Sequence, residues 1–313
     1  MTEQQQPRIG ILGTGAIGGF YGLMLARAGF DVHFLLRSEY AAVSRNGLRV
    51  ESAVHGELRL PQPQTYHDPA QMPACDWLLV CAKATSNAEL APLINQVTAP
   101  GAKVVLLQNG LGAEDELRPF LDEHLHLLGG LCFIYINRTA PGVIEHHASG
   151  VINLGYHSGG ATAEEGYAIA QQGAEFFQQS GLTSKALRQL EQARWQKLVW
   201  NIPYNGLSVL LNSDTAQLMA EPHSRTLIAD LMDEVVVAAA ACGYPLADNF
   251  SSAVLKSTES MPAYFPSMYH DFRQKREMEL EAIYRAPLKA AQAAGYEMPK
   301  VKMLLQMLEY LSV

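Results

Sequence analysis

The stretch GILGTGAIGGF, residues 10–20, restricts this chain more than any other. Gly13, Gly15 and Gly18 form G-x-G-x-x-G directly after an expected strand, Arg8 to Leu12, and at the opening of an expected helix running to about Ala28. In that context the first glycine permits a tight turn and the second lets backbone approach a pyrophosphate. The third lets helix and strand pack closely, and the helix start offers unpaired N–H groups to phosphate. Without the flanking strand and helix the same string is only a glycine-rich turn. With them it reads as a dinucleotide site.

The rest of the chain has room for more than this one module. Its 313 residues exceed an ordinary single domain, and 48% hydrophobic with 17% charged residues suits a folded protein with a large core. A net charge of −8 argues against a surface that tracks nucleic-acid phosphates. The start MTEQQQPRIG lacks the basic and apolar regions of a secretory signal, and no apolar run is long enough to span a bilayer, so a cytoplasmic location is expected. Cys75, Cys81, Cys132 and Cys242 lack C-x-x-C spacing, which points to buried free thiols.

Short β-branched runs alternate with helical stretches through the first half, the pattern of a parallel sheet covered by helices. Further strands are expected at Val32 to Leu36, Trp77 to Ala82 and Lys103 to Leu107. Short segments in LLGGLCFIYI, GVIEHHAS and VINLG should extend the same sheet, and a helix over Tyr167 to Gln179 with a strand near Leu182 would close the domain. Beyond about Ala186 the apolar residues Leu187, Leu190, Trp195, Leu198 and Ile202 take helical spacing. The expected fold is an α/β Rossmann-type dinucleotide-binding domain, 1–187, followed by an all-α C-terminal domain, 188–313. The joint is not a Gly/Ser linker, so the two domains are expected to pack around a cleft.

The residue after the second strand selects the dinucleotide, because a carboxylate there would accept hydrogen bonds from the ribose of NAD. Here the strand runs into Arg37 and Ser38. A guanidinium matches a 2'-phosphate and favours NADPH; the bland alternative is a solvated surface charge. Asp31 stands at the wrong end of the strand, and Lys83 in VCAKATS could add a second cation.

In RWQKLVWNIPYN, Lys197, Asn201 and Asn205 recur every four residues along one helical face, among Trp195, Leu198, Val199, Trp200 and Ile202. Such a face either lines a polar site or is an ordinary solvent stripe. Pro203 removes one N–H within the helix, which predicts a kink or a freed carbonyl. Ser267 after Pro266 reads as an N-cap and Glu279 as a helix-surface charge. His146 and His147 are neighbours on a strand and point to opposite faces, so they should not share a metal.

Taken in order, these motifs resemble the ketopantoate reductase family over almost the whole chain. GTGAIG carries Gly13, Gly15, Ala16, Ile17 and Gly18 of the family's cofactor loop; Arg37 and Lys83 follow at its strand ends, and QNGLG presents Asn109 on the nicotinamide side. WQKLVWNIPYN looks like the catalytic helix, which makes Lys197 the general acid and Asn201 and Asn205 substrate-positioning groups. Ser267 and Glu279 are similar to the family's C-terminal pair, with Ser267 binding substrate and Glu279 orienting the substrate hydroxyl or the lysine. The family has an asparagine three residues before this serine, where the chain has Tyr264.

That resemblance implies NADPH-dependent reduction of 2-dehydropantoate to pantoate, with no metal. Two other readings stand beside it: a reductase of another 2-keto or 3-hydroxy acid, which Tyr264 favours, and a non-catalytic NADPH-binding sensor. The helical domain could also supply a homodimer interface.

Overall fold

The computed structural model describes residues 6–83 and 87–312. Its chain divides into two compact units, Met1–Gln108 with Ala113–Leu190, and Asn109–Gly112 with Glu191–Val313. The expected division at 187/188 placed all of QNGLG in the first unit. Residues 109–112 instead belong with the helices.

The first unit is built on one sheet of ten strands: β1 Arg8–Leu12, β2 Asp31–Leu35, β3 Leu48–Ser52, β4 Gly56–Leu60, β5 Gln64–Tyr66, β6 Cys75–Val80, β7 Thr98–Leu106, β8 His126–Ala140, β9 Val143–Ser158 and β10 Ser184–Leu187. Their order is β4-β3-β9-β8-β7-β6-β1-β2-β5, with β10 paired to β9. Within it, β5-β2-β1-β6-β7-β8 are all parallel, the 3-2-1-4-5-6 arrangement of a dinucleotide-binding fold. Strand order reverses between β1 and β6, and the turn bearing Gly13 leaves the carboxyl end of β1 at that point. β1, β6 and β7 are almost wholly apolar because helices cover both faces of the sheet.

Helices α1 Ala16–Arg27, α2 Tyr40–Asn46, α3 Asn87–Val97, α4 Ala113–Leu117 and α5 Ala163–Gln179 complete this unit. α5 starts at a capping box in which the Thr162 hydroxyl accepts from the Glu165 N–H while Glu165 accepts from the Thr162 N–H. Two sequence expectations change here. GVIEHHAS and VINLG are one strand, β9, kinked at Ser149 and Gly150 where the backbone takes positive φ and the ladder to β8 shifts register. The strands β3, β4 and β5 were not foreseen; β3 and β4 form a hairpin that extends the sheet beyond β9.

The second unit is helical: α6 Leu190–Leu211, α7 Thr215–Ala220, α8 Pro222–Ala241, α9 Phe250–Glu259, α10 Ser267–Arg273, α11 Ala286–Ala293 and α12 Pro299–Leu311. α6 runs unbroken through Pro203 and buries Trp195, Leu198, Val199, Ile202 and Tyr204 in the core. A π-helical turn, Glu281–Arg285, leads into α11. The start of α12 is capped from a distance: the buried Glu234 carboxylate on α8 accepts from the N–H groups of Lys300, at 3.0 Å, and Val301, at 3.1 Å.

Replacing Glu234 with alanine leaves those two donors without their acceptor. The expected loss is about 2 kcal/mol in urea unfolding, with Glu234→Gln losing less; an unchanged midpoint for the alanine variant would show that the cap contributes nothing.

Candidate active site

The glycine loop has the form that the sequence led us to expect. Gly13 holds φ +91°, and a Cβ there would lie 3.0 Å from the Ala82 backbone nitrogen at the end of β6. At Gly18 a Cβ would lie 2.0 Å from the Gly13 carbonyl oxygen, so the turn and helix close only around glycine. Gly15 differs from both: a Cβ there meets nothing within 4 Å. Gly15 is also the N-cap of α1, which has no side-chain cap and no acidic residue in its first turn. A helix start without a side-chain cap suits an anionic diphosphate, and Ala16 and Ile17 lie half-buried in the same turn.

Arg37 lies two residues past β2, exposed, with no side-chain hydrogen bond or ion pair among the described residues. Asp31 opens β2 at the far end, where it binds Arg8, His33 and Gln64. It is therefore a structural carboxylate. Lys83 follows β6 on the same carboxyl edge of the sheet as the glycine turn; Ala84 to Ser86 of VCAKATS lie outside the described residues. The Gln108 amide steadies this edge by donating to the Ala82 carbonyl at 2.8 Å and to the Asn87 side-chain oxygen at 2.7 Å.

In the helical unit, the Lys197 ammonium donates to Asn109 Oδ1 at 2.7 Å. Asn201 and Asn205 are 6% and 3% exposed, so the Lys/Asn face of α6 is not a solvent stripe. Asn205 ties two elements together, its amide donating to the Asn201 carbonyl at 2.9 Å and its Oδ1 accepting from the Met268 N–H at 3.4 Å. Met268 is the second residue of α10, so Asn205 satisfies a donor of the helix start that presents Ser267. Ser267 itself is the first helical residue, exposed, and caps nothing; Pro266 holds the N-cap position.

Glu279 departs furthest from its sequence reading. It is 7% exposed and lies outside any helix, two residues before the π turn, with its carbonyl accepting from the Ile283 N–H. Next to it the Tyr284 hydroxyl donates to the Ile202 carbonyl at 2.9 Å, fastening this segment to α6. Burial pushes the Tyr284 phenol far above its ordinary pKa, so it stays a donor at all working pH values.

The turn carrying Asn109 is fixed by the same helices. Within the π turn the Ala286 N–H reaches back five residues to the Glu281 carbonyl. That leaves the Ala282 carbonyl to accept from the Leu111 N–H at 2.8 Å. Gly110, at φ +92°, passes so close that a Cβ would lie 2.4 Å from that carbonyl oxygen, and the buried Arg194 donates to the Gly110 carbonyl at 3.2 Å.

Residues 9–159 match the family model described as ketopantoate reductase PanE/ApbA, and residues 189–312 match its C-terminal counterpart. The chain belongs to the ketopantoate reductase family. It is 43% identical to the 2-dehydropantoate 2-reductase of Nostoc sp. strain PCC 7120 over 301 residues, covering 96% of this chain and 94% of the relative. The crystal structure of 2-dehydropantoate 2-reductase from Geobacter metallireducens GS-15 superposes with a TM-score of 0.90 at 38% identity, covering 97% of this chain and 99% of that one. The Methylococcus capsulatus enzyme gives 0.85 at 32%, covering 97% and 96%.

Sequence reasoning passed over three residues that shape the site of this ketopantoate reductase family member: Gln108, Arg194 and Gly110. Gln108 and Gly110 sit inside QNGLG beside Asn109, and Arg194 lies about one turn before Lys197 on the same helix, so proximity was the only available signal. Among the described residues no cluster of His, Cys, Asp or Glu could hold a metal ion, and no helix is long and apolar enough to cross a membrane. The four cysteines are free, and burial pushes the Cys75 thiol up to about 12.

The open space at Gly15 gives a direct test of the cradle. Gly15→Ala should keep the melting temperature, since its methyl meets no protein atom, yet weaken NADPH binding by at least about tenfold in a fluorescence titration; unchanged binding would show that no diphosphate lies there.

Proposed function

We propose that this chain reduces 2-dehydropantoate to pantoate with NADPH, using Lys197 as the proton donor. The observation that carries this reading is the Lys197–Asn109 hydrogen bond, a cation held by a neutral acceptor on a buried Lys/Asn helix. Family membership and the name of the 43% identical relative support the substrate.

The bound dinucleotide would supply a hydride from the C4 position of its nicotinamide to the ketone carbon. Gly13, Gly15, Ala16, Ile17 and Gly18 would receive its diphosphate, and Lys83 would add positive charge near the phosphates. Arg37, with its guanidinium uncommitted, would take the 2'-phosphate and so favour NADPH over NADH.

Negative charge develops on the ketone oxygen as the carbon is reduced. An alkyl ammonium, with a reference pKa of about 10.4, is charged at neutral pH and both stabilises that oxygen and transfers a proton from Nζ to it. Asn109 orients the ammonium and stands at the nicotinamide side. Asn201 and Asn205 would position the substrate, with Asn205 also acting through the Met268 N–H on the Ser267 helix. Ser267 would bind the carboxylate, and Glu279 would orient the substrate hydroxyl or the lysine.

A second reading rests on Tyr264. Its backbone is clasped to Thr215 by two hydrogen bonds, Tyr264 N–H to Thr215 Oγ1 at 3.1 Å and Thr215 N–H to the Tyr264 carbonyl at 3.0 Å. A phenol held three residues before Ser267 would reshape a pocket for another 2-keto acid.

Lys197→Ala should lower kcat by about 10² to 10⁴ while leaving the Kd for NADPH within about twofold. A near-normal kcat for this variant would remove the lysine from the chemistry.

A further inference from the structure

Arg37 does not stand alone at its end of the sheet. The carboxyl edge that presents Gly13 after β1 and Lys83 after β6 ends in two neighbouring strands, with Arg37 just past β2 and His67 just past β5. β2 and β5 run parallel, Leu35 beside Tyr66, and the Leu36 N–H donates to the Tyr66 carbonyl at 2.8 Å. His67 therefore follows at one strand spacing, about 4.8 Å, from the backbone that leads into Arg37.

The imidazole is fixed in this place. Its Nδ1 lies 3.2 Å from the Leu36 carbonyl, and because a carbonyl only accepts, Nδ1 carries the proton of the neutral ring. The ring also packs on Tyr40, centroids 5.4 Å apart, and the Tyr40 N–H donates to the Arg37 carbonyl at 3.3 Å, closing the turn between them. Nε2 is left as the nitrogen that gains or loses a proton. His67 is exposed, and its Nε2 has no partner among the described residues.

The carboxylates around these strand ends already have donors. Glu39 is buried, bound by Arg138 and accepting from the Gly142 N–H. Asp68, next to His67, accepts from the Ala70 N–H as the cap of the short helical turn Pro69–Gln71. Of the other ionisable groups there, the Tyr66 hydroxyl is paired with His33, and Arg45 lies exposed at the far end of α2. What the ends of β2 and β5 offer a ligand is a guanidinium and one imidazole nitrogen.

We propose, resting on the reading of Arg37 given above, that His67 is a second group for the 2'-phosphate of the coenzyme and that its proton makes the preference for NADPH pH-dependent. The neutral ring presents only a lone pair at Nε2, which a phosphate oxygen cannot use. Once protonated, Nε2 donates a charge-assisted hydrogen bond while Nδ1 keeps the Leu36 carbonyl, so the ring need not move. Imidazoles titrate near about 6.5 in water, and a phosphate dianion alongside favours the charged form. NADPH binding therefore takes up a proton and tightens as pH falls toward that value. NADH, which lacks the 2'-phosphate, gains nothing. The second ionisation of the phosphate itself, near about 6, acts in the opposite sense and confines the effect to higher pH.

Isothermal titration calorimetry of the full chain with NADPH and with NADH, at about pH 6.5 and about pH 8.5, provides the test. In the wild type the ratio of the Kd for NADH to the Kd for NADPH should be about fivefold higher at the lower pH. Buffers of different ionisation enthalpy should show proton uptake with NADPH and much less with NADH. His67→Asn can keep the bond to Leu36 but has no atom in place of Nε2, so its ratio at the lower pH should fall by about fivefold and no longer rise with acidity. His67→Gln carries a neutral donor near the place of Nε2 and should keep part of the preference without the rise; it decides alone should the asparagine variant fold poorly. A wild type that prefers NADPH equally at both pH values, or variants that keep the wild-type pH response, overturn the role of His67 and leave that of Arg37 standing. A wild type that binds the two coenzymes equally at both pH values overturns both.

Discussion

One backbone hydrogen bond, from the Leu111 N–H to the Ala282 carbonyl, has more of the candidate site hanging on it than any side chain does. An ordinary α-helix would have used that carbonyl for the Ala286 N–H. The π turn diverts Ala286 to Glu281 and leaves the Ala282 oxygen available. A turn from the loop after the seventh strand docks there, Gly110 makes the approach sterically possible, and Asn109 is delivered to the Lys197 ammonium. Single π turns recur at functional sites because they expose a carbonyl inside an otherwise satisfied helix.

The same segment explains how the remaining polar groups are held. Tyr284, inside the π turn, bonds the Ile202 carbonyl on the lysine helix, and Asn205 one turn later bonds the start of the Ser267 helix. Buried amides and a buried phenol are costly unless partnered; here the Tyr284 hydroxyl and Asn205 Oδ1 pair with backbone groups of neighbouring elements, and the Asn205 amide with the Asn201 carbonyl of its own helix. The polar face of α6 is thus a fastening for neighbouring segments, and it is the face that we propose takes substrate.

What could be read from sequence follows the range of the interactions involved. The glycine loop was legible because strand, turn and helix are contiguous and each glycine answers a local steric demand, as at Gly13 and Gly18. The place of Arg37 just past the second strand was legible for the same reason, while its role toward a 2'-phosphate is a proposal. The allegiance of residues 109–112 was not, because the bond that fixes it joins positions 171 apart and depends on a π turn that no residue pattern announces. Glu279 looked like a surface charge until the fold buried it. Ser267 looked like an N-cap, a position that Pro266 occupies one residue earlier. The β3–β4 hairpin escaped because its strands are short and hold a single β-branched residue, Val50, and they join the sheet only through β9.

The central claim is that a glycine cradle with Arg37 and a lysine–asparagine helix together make an NADPH-dependent reductase of 2-dehydropantoate. Steady-state coenzyme oxidation followed at 340 nm, with 2-dehydropantoate and a panel of other 2-keto acids, each with NADPH and with NADH, tests it most directly. The account predicts the highest kcat/KM for 2-dehydropantoate with NADPH and a much lower value with NADH. Preference for another acid, equal use of the two coenzymes, or no turnover with any acid would contradict it.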